Sequence, residues 1–279
     1  MTGTSSAHAG QTFRELIPAY IYPANLTTGT AEQENGENIW NHLCNTASTS
    51  GNSSTIIANV DSGPGSSYDS NWASALDYCV NEGVNVVGYV HTSYGQRSVS
   101  SVEADIAEWV SLYGSDVQGI FFDEVPTSAT DSRCPDSNCE SYYSTLIAYA
   151  QSEISDSLII TNPGASSSDS GWILSNAAMD GHPADIDVIF EGDVSSFTGW
   201  SPPSWYDSSQ SSSVATLVYQ DPGTTDTASS DASTVCTDTQ NDGVGIGVAW
   251  SNDSNDDTYA TDPTTVTGNG IWDDFVSDC

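Results

Sequence analysis

Lysine is absent from this 279-residue chain. Arginine occurs only at Arg14, Arg97 and Arg133, against 38 aspartates and glutamates, which leaves a formal net charge of −35. A surface with no positive patch has nothing to set against a phosphate backbone or an anionic headgroup, so nucleic acid and membrane surfaces are excluded as partners. Long apolar runs are also missing: no stretch approaches the roughly 20 residues that span a bilayer, so no membrane insertion is expected. The first residues, MTGTSSAHAGQTF, lack the apolar core of an export signal. That leaves a chain that stays inside the cell or a mature or trimmed form. No cysteine pair has zinc-ribbon spacing, and His42 near Cys44 reads as incidental, so no metal or organic cofactor is implied. No GxGxxG turn follows the first strand-like segment, which argues against a doubly wound dinucleotide-binding sheet.

What the chain does contain argues for a packed core. Acidity of this degree is one signature of disorder, but 10% of the residues are aromatic and apolar segments recur regularly. The better reading is a salt-adapted surface, because at 1 M salt the Debye length falls to about 3 Å and self-repulsion is screened. Six cysteines, at positions 44, 79, 134, 139, 236 and 279, form an even set that fits an oxidising compartment. CPDSNC is the one closely spaced pair. Sequons at Asn25, Asn52 and Asn252 are weak hints of an exported surface.

Strand-like and helix-like segments alternate along the chain. Strands are expected over residues 15–23, 54–60, 85–92, 117–126, 158–164, 186–193, 213–220 and 243–252. Helices are expected over 36–47, 70–83, 98–114 and 139–154, with a short one at 171–177 and a last one at the C-terminus. Short apolar strands alternating with amphipathic helices imply parallel strands and helical crossovers. Eight such units in this length predict a single-domain α/β fold, a (β/α)8 TIM barrel over residues 15–279 behind an N-terminal extension of residues 1–14.

In such a barrel the chemistry sits where strands end and βα-loops begin. Those positions hold Tyr20 and Tyr22 on the first strand, and Asn59 and Asp61 on the second. Tyr89 and His91 end the third, and Asp123 and Glu124 the fourth. Asn162, Glu191, Tyr219 and Trp250 end the fifth to the eighth. Glu124 and Glu191 directly follow apolar strand residues, and an acid carried up through a core needs a partner or a purpose. Carboxylates plus aromatic platforms suit glycoside cleavage, one carboxyl protonating the leaving oxygen while another assists attack at the anomeric carbon. Each residue also has a plainer role. Asp123 serves equally as an acceptor for backbone N–H groups, His91 as a satisfied strand-end histidine, and Tyr20, Tyr22 and Trp250 as packing. Strict alternation sends Asp123 and Glu124 to opposite faces, so both enter one cleft only if the strand ends or bulges there, and Pro126 supports an ending. On that reading Glu124 points over the barrel mouth toward Glu191.

The motifs YIYP, NVDSGPG, GYVHTSYGQRS, GIFFDEVP, TNPG and VIFEGD, in this order over roughly residues 17–193, resemble those of the spherulin-4-like family. The resemblance implies a (β/α)8 barrel and endo-hydrolysis of a galactosamine-containing polysaccharide by a cell-surface or extracellular enzyme of α-1,4-galactosaminidase type. It carries the family's catalytic carboxylates onto Asp123, Glu124 and Glu191, and its histidine onto His91. The expected roles are Glu124 as general acid, Glu191 as nucleophile or base, and Asp123 as their modulator. In a substrate-assisted alternative Asp123 orients an acetamido group that itself attacks. Tyr20, Tyr22, Tyr89, Asn162, Tyr219 and Trp250 are the expected substrate contacts. Two non-catalytic alternatives stand beside these: a cell-surface carbohydrate-binding protein on the same barrel, and a calcium-decorated surface protein suggested by the acid count.

Overall fold

The computed structural model describes residues 15–23, 33–34, 37–49, 54–164, 171–219 and 247–250. Eight strands form one sheet in chain order. They are β1 (Leu16–Ala19), β2 (Thr55–Ala58), β3 (Asn85–His91), β4 (Gly119–Asp123), β5 (Leu158–Asn162), β6 (Ile186–Asp193), β7 (Val214–Tyr219) and β8 (Gly247–Trp250). Every neighbouring pair is parallel, and β8 returns to lie against β1. Helices α1 (Ile39–Thr49), α2 (Ser70–Asn81), α3 (Val99–Tyr113) and α4 (Cys139–Glu153) fill the first four crossovers, and a short α5 (Val194–Thr198) follows β6. The predicted (β/α)8 barrel is the observed fold. Residues 1–14 and the expected C-terminal helix lie outside the described residues. No described helix is long and apolar enough to cross a membrane.

The strands read as unbroken apolar runs because both of their faces are covered. Alternate residues serve two cores. Leu16, Ile57, Val87, Phe121, Ile160, Val188, Ala215 and Leu217 fill the barrel interior. Ile17, Ile56, Val86, Ile120, Phe122 and Ile159 face outward against helix residues such as Trp40, Trp72, Trp109 and Tyr143. Trp109 lies so close over Gly88 that a Cβ there would come within 2.7 Å of the indole. Its Nε1 donates to the Tyr89 carbonyl at 2.9 Å, so the close approach also engages a backbone acceptor of β3.

Two disulfides occur among the described residues. Cys44–Cys79 ties α1 to α2, and Cys134–Cys139 closes the small loop before α4. The second is the closely spaced pair seen in the sequence. Cys236 and Cys279 lie outside the described residues.

Candidate active site

Inward alternation along β4 runs Phe121, then Asp123. The strand ends there, and Glu124 takes a left-handed backbone with φ of 56°. A left-handed turn costs a non-glycine residue of order 1 kcal/mol or more. Here the surroundings hold it in place. The Glu124 carbonyl accepts from Tyr94 N at 2.7 Å and from Thr92 Oγ1 at 2.8 Å, while Val125 N donates to the Asn162 carbonyl at 3.0 Å. The turn lets two sequence neighbours serve the same strand mouth, as the proline after them suggested.

Glu191 reaches the interior by a different device. Val188 faces inward, so simple alternation would turn Glu191 outward. The register of β6 on β7 slips between Val188 and Phe190, leaving Ile189 as the extra residue of a bulge. Phe190 then faces the helices and Glu191 pairs beside the inward Leu217. Bulges re-aim side chains in this way.

Asn162 joins the two inward acids. Its Oδ1 accepts from Gly164 N at 2.9 Å, which fixes the amide orientation. Its Nδ2 therefore faces the carboxylates and donates to Asp123 Oδ1 at 2.9 Å and to Glu191 Oε2 at 2.8 Å. Tyr89 donates its hydroxyl to the other Asp123 oxygen at 2.7 Å. Burial pushes the Asp123 carboxyl up to about 6; the Tyr89 hydrogen bond works against this, and the Glu191 charge adds to it. Burial, with the Asp123 charge next, drives the Tyr89 hydroxyl well above its ordinary range, so it stays a donor.

Glu124 is held on the other side. Its Oε2 accepts from Ser93 N at 3.0 Å and lies 3.5 Å from His91 Nδ1, with both side chains about one-third exposed. Ser93 Oγ also lies 3.3 Å from His91 Nδ1. The acid bridged to Glu191 is thus Asp123, and the expected orientation of Glu124 toward Glu191 gives way to one toward β3. The cause is the left-handed turn, which swings the side chain off the line of the strand.

Two of the three arginines brace this rim. Arg97 donates to the His91 carbonyl at 2.7 Å and pairs with Asp105 at 2.8 Å. Arg133 pairs with Asp131 and lies 4.3 Å from the centre of the Tyr94 ring. The Cys134–Cys139 loop packs into the same turn: Gly95, at φ of 81°, lies so close that a Cβ would come within 2.5 Å of Cys134 Sγ.

Of the expected contacts, Tyr20 meets Tyr89 edge to face at 5.5 Å, and Tyr89 stacks on Phe121 at 6.1 Å, giving the carboxylates an aromatic floor. Asn162 is almost wholly buried, and its side-chain amide is engaged by the two acids and Gly164 N, so it bridges rather than presenting itself to solvent. Tyr22 turns instead to Asp69 and Asn71 at the head of α2. Asn59 closes its own turn by accepting from Gly63 N at 3.0 Å. Tyr219 and Trp250 end β7 and β8, but their side chains lie outside the described residues. Sequence reasoning missed Thr92, Ser93 and Tyr143. Thr92 is buried, contacts both the Asp123 and Glu124 carbonyls, and meets Tyr143 Oη at 2.6 Å. The sole signal was a Thr-Ser pair directly after a strand-end histidine, which in a chain so rich in hydroxyls stands out from nothing.

The model of spherulation-specific family 4 matches residues 15–277. Spherulin-4 of Physarum polycephalum is 34% identical over 192 residues, covering 68% of this chain and 47% of its own length. The chain therefore spans about half of that relative. The crystal structure of Aspergillus clavatus Sph3 in complex with GalNAc superposes with a TM-score of 0.66 at 23% identity, covering 96% of this chain and 97% of that one. Penicillium canescens endo-1,4-beta-xylanase XylE superposes with a TM-score of 0.52 at 15% identity, over 94% of this chain and 88% of that one. At these identities the structural likeness speaks for the barrel fold, while the family match rests on the sequence itself over nearly the whole chain. The chain belongs to spherulation-specific family 4.

Proposed function

We propose that this protein is a salt-adapted glycoside hydrolase that cleaves internal bonds of a galactosamine- and N-acetylgalactosamine-containing polysaccharide outside the cell or at its surface. The observation that carries the reading is the gathering of Asp123, Glu124 and Glu191 around Tyr89 at the C-terminal mouth of the barrel. The GalNAc bound by the structurally similar Sph3 supports the sugar class, and two disulfides support an oxidising location.

Glu124, about one-third exposed and reachable from solvent, is the general acid that protonates the leaving oxygen. Glu191 is the nucleophile or base. Asp123, tied through Asn162 to Glu191, tunes the charge of the pair. A second reading has its own support. Asp123 is largely buried and bonded on both oxygens, which suits a group that orients an N-acetyl substituent and balances the positive charge formed when the acetamido oxygen attacks.

The test is product analysis at molar salt on galactosamine and N-acetylgalactosamine polymers. Glu124→Gln keeps the shape and removes the acid, so turnover should fall about 10²-fold or more. Near-normal turnover by that variant would end the assignment. Glu191→Gln should be as damaging if Glu191 attacks or activates water, and much milder if the acetamido group does that work. A wild-type chain that binds the polymer and releases no product would be a carbohydrate-binding protein on this barrel.

A further inference from the structure

Among the described residues two large apolar side chains stand in solvent, Tyr22 and Tyr68, at 54% and 60% exposure. Neither is loose. The Tyr22 hydroxyl accepts from Asn71 Nδ2 at 2.8 Å and donates to Asp69 Oδ2 at 3.1 Å. Its ring meets Trp72 edge to face at 6.4 Å. The Tyr68 ring stacks on Tyr113 at 6.3 Å. Asp69 itself is fixed by capping α2, where its Oδ1 accepts from Asn71 N at 2.8 Å. Two rings are thus held in place beside Asp69, each more than half exposed among the described residues.

We propose that Tyr22, Asp69 and Tyr68 form an outer saccharide subsite, beyond the candidate active site, that holds a polysaccharide chain. Rigid uncovered tyrosine faces match the apolar C–H faces of sugar rings and lose little freedom on contact. The Asp69 carboxylate beside them accepts only, so it fits a ligand rich in donors, such as sugar hydroxyls and free amino groups. Direction along the fold supports a polymer. Tyr89 holds Asp123, Tyr20 packs on Tyr89, and Tyr22 stands two residues beyond Tyr20 at the rim. Tyr22 thus follows, along the chain, the tyrosine that packs beside the carboxylates. The sugar class rests on the function proposed above, but the subsite does not require catalysis.

The experiment measures retardation in native gels cast with partially N-acetylated α-1,4-galactosaminan, using the Glu124→Gln chain so that the polymer persists. Adding Tyr22→Ala and Tyr68→Ala together should weaken polymer affinity about tenfold, equivalent to about 1.4 kcal/mol. Tyr68→Phe keeps the ring and should keep the affinity, while melting curves check that every variant is folded. Unchanged retardation of the double variant, or no retardation of the parent, overturns the proposal. So does sedimentation showing dimers that Tyr68→Ala dissociates, since the rings would then cover a second copy. Ring-dependent binding with no turnover by the wild-type chain would sink the hydrolase reading and leave the subsite standing. Glu124-dependent turnover with ring-independent binding would do the reverse.

Discussion

Asp187 offers the sharpest test of the energetics. It sits on the outward face of β6, 2% exposed, with Thr161 Oγ1 donating to its Oδ1 at 2.8 Å. Burial, opposed only in part by that hydrogen bond, pushes its carboxyl from the ordinary 3.8 up to about 7. The unfolded chain releases this proton near pH 4 and the folded chain keeps it to near pH 7. Between those values the folded state binds more protons, so stability falls as pH rises, and above pH 7 the full penalty is present. At about 1.4 kcal/mol per pH unit the full penalty is about 4 kcal/mol, and the part that develops between pH 5 and 8 is about 2–3 kcal/mol. Asp187→Asn keeps an acceptor for Thr161 and removes the ionisation. Its new amide N–H groups cost about 1–3 kcal/mol if unpaired, but equally at every pH. The assay is therefore a difference of differences: denaturant melts of both chains at pH 5 and pH 8, in molar salt so that surface acids contribute little. The wild-type chain should lose about 2–3 kcal/mol more than the variant over that interval. Parallel pH dependences would refute the argument, because they would mean that Asp187 is ionised in the folded protein throughout.

The remaining predictions concern the surface, the disulfides and the site. With a net charge of −35 and no lysine, melting temperature should climb steeply from dilute buffer to several molar KCl, and a melt indifferent to salt would overturn the salt-adapted reading. Thiol labelling and mass spectrometry of the unreduced protein should find Cys44, Cys79, Cys134 and Cys139 unlabelled, joined as Cys44–Cys79 and Cys134–Cys139; labelling of all four would exclude both bridges. The pH profile of kcat/KM on a verified substrate should show a limb near the Asp123 value of about 6. Tyr89→Phe removes a hydrogen bond that holds this carboxyl down, so the limb should move to higher pH; a limb that stays in place would show that Asp123 is not the group titrating.

Much of the barrel was legible because its logic is local. Apolar runs such as Ile56–Ile57 and Val86–Val87 alternate with amphipathic segments, and that pattern alone dictates parallel strands under helices. The positions that end those strands could be read off directly, and Asp123, Glu124, His91, Tyr89, Asn162 and Glu191 do meet at one mouth. Their roles were harder to read. Asn162 looked like a polar group offered to a ligand, yet its two donor contacts go to acids on neighbouring strands. Only the register of β5 between β4 and β6 makes it a bridge.

The two glutamates show where one-dimensional reading stops. Counting by twos from Phe121 puts Glu124 on the wrong face, and counting from Val188 does the same to Glu191. Each is corrected by a departure from regular strand: a left-handed residue in one case, and an extra residue at Ile189 in the other. Pro126 betrayed the first. Nothing betrayed the second, because Val188, Ile189 and Phe190 are all apolar and an unbroken apolar run hides which residue is extra. The first stands at the strand mouth itself, and the second lies within β6, two residues before Glu191. Irregular backbone is costly unless its surroundings enforce it. Around Glu124 that enforcement is visible in the Thr92, Tyr94 and Ser93 hydrogen bonds. The bulge and the left-handed residue thus act from different heights of the barrel, yet each re-aims a glutamate toward the mouth at which Asp123 ends its strand, and that shared result is what the proposed joint role of the three carboxylates rests on.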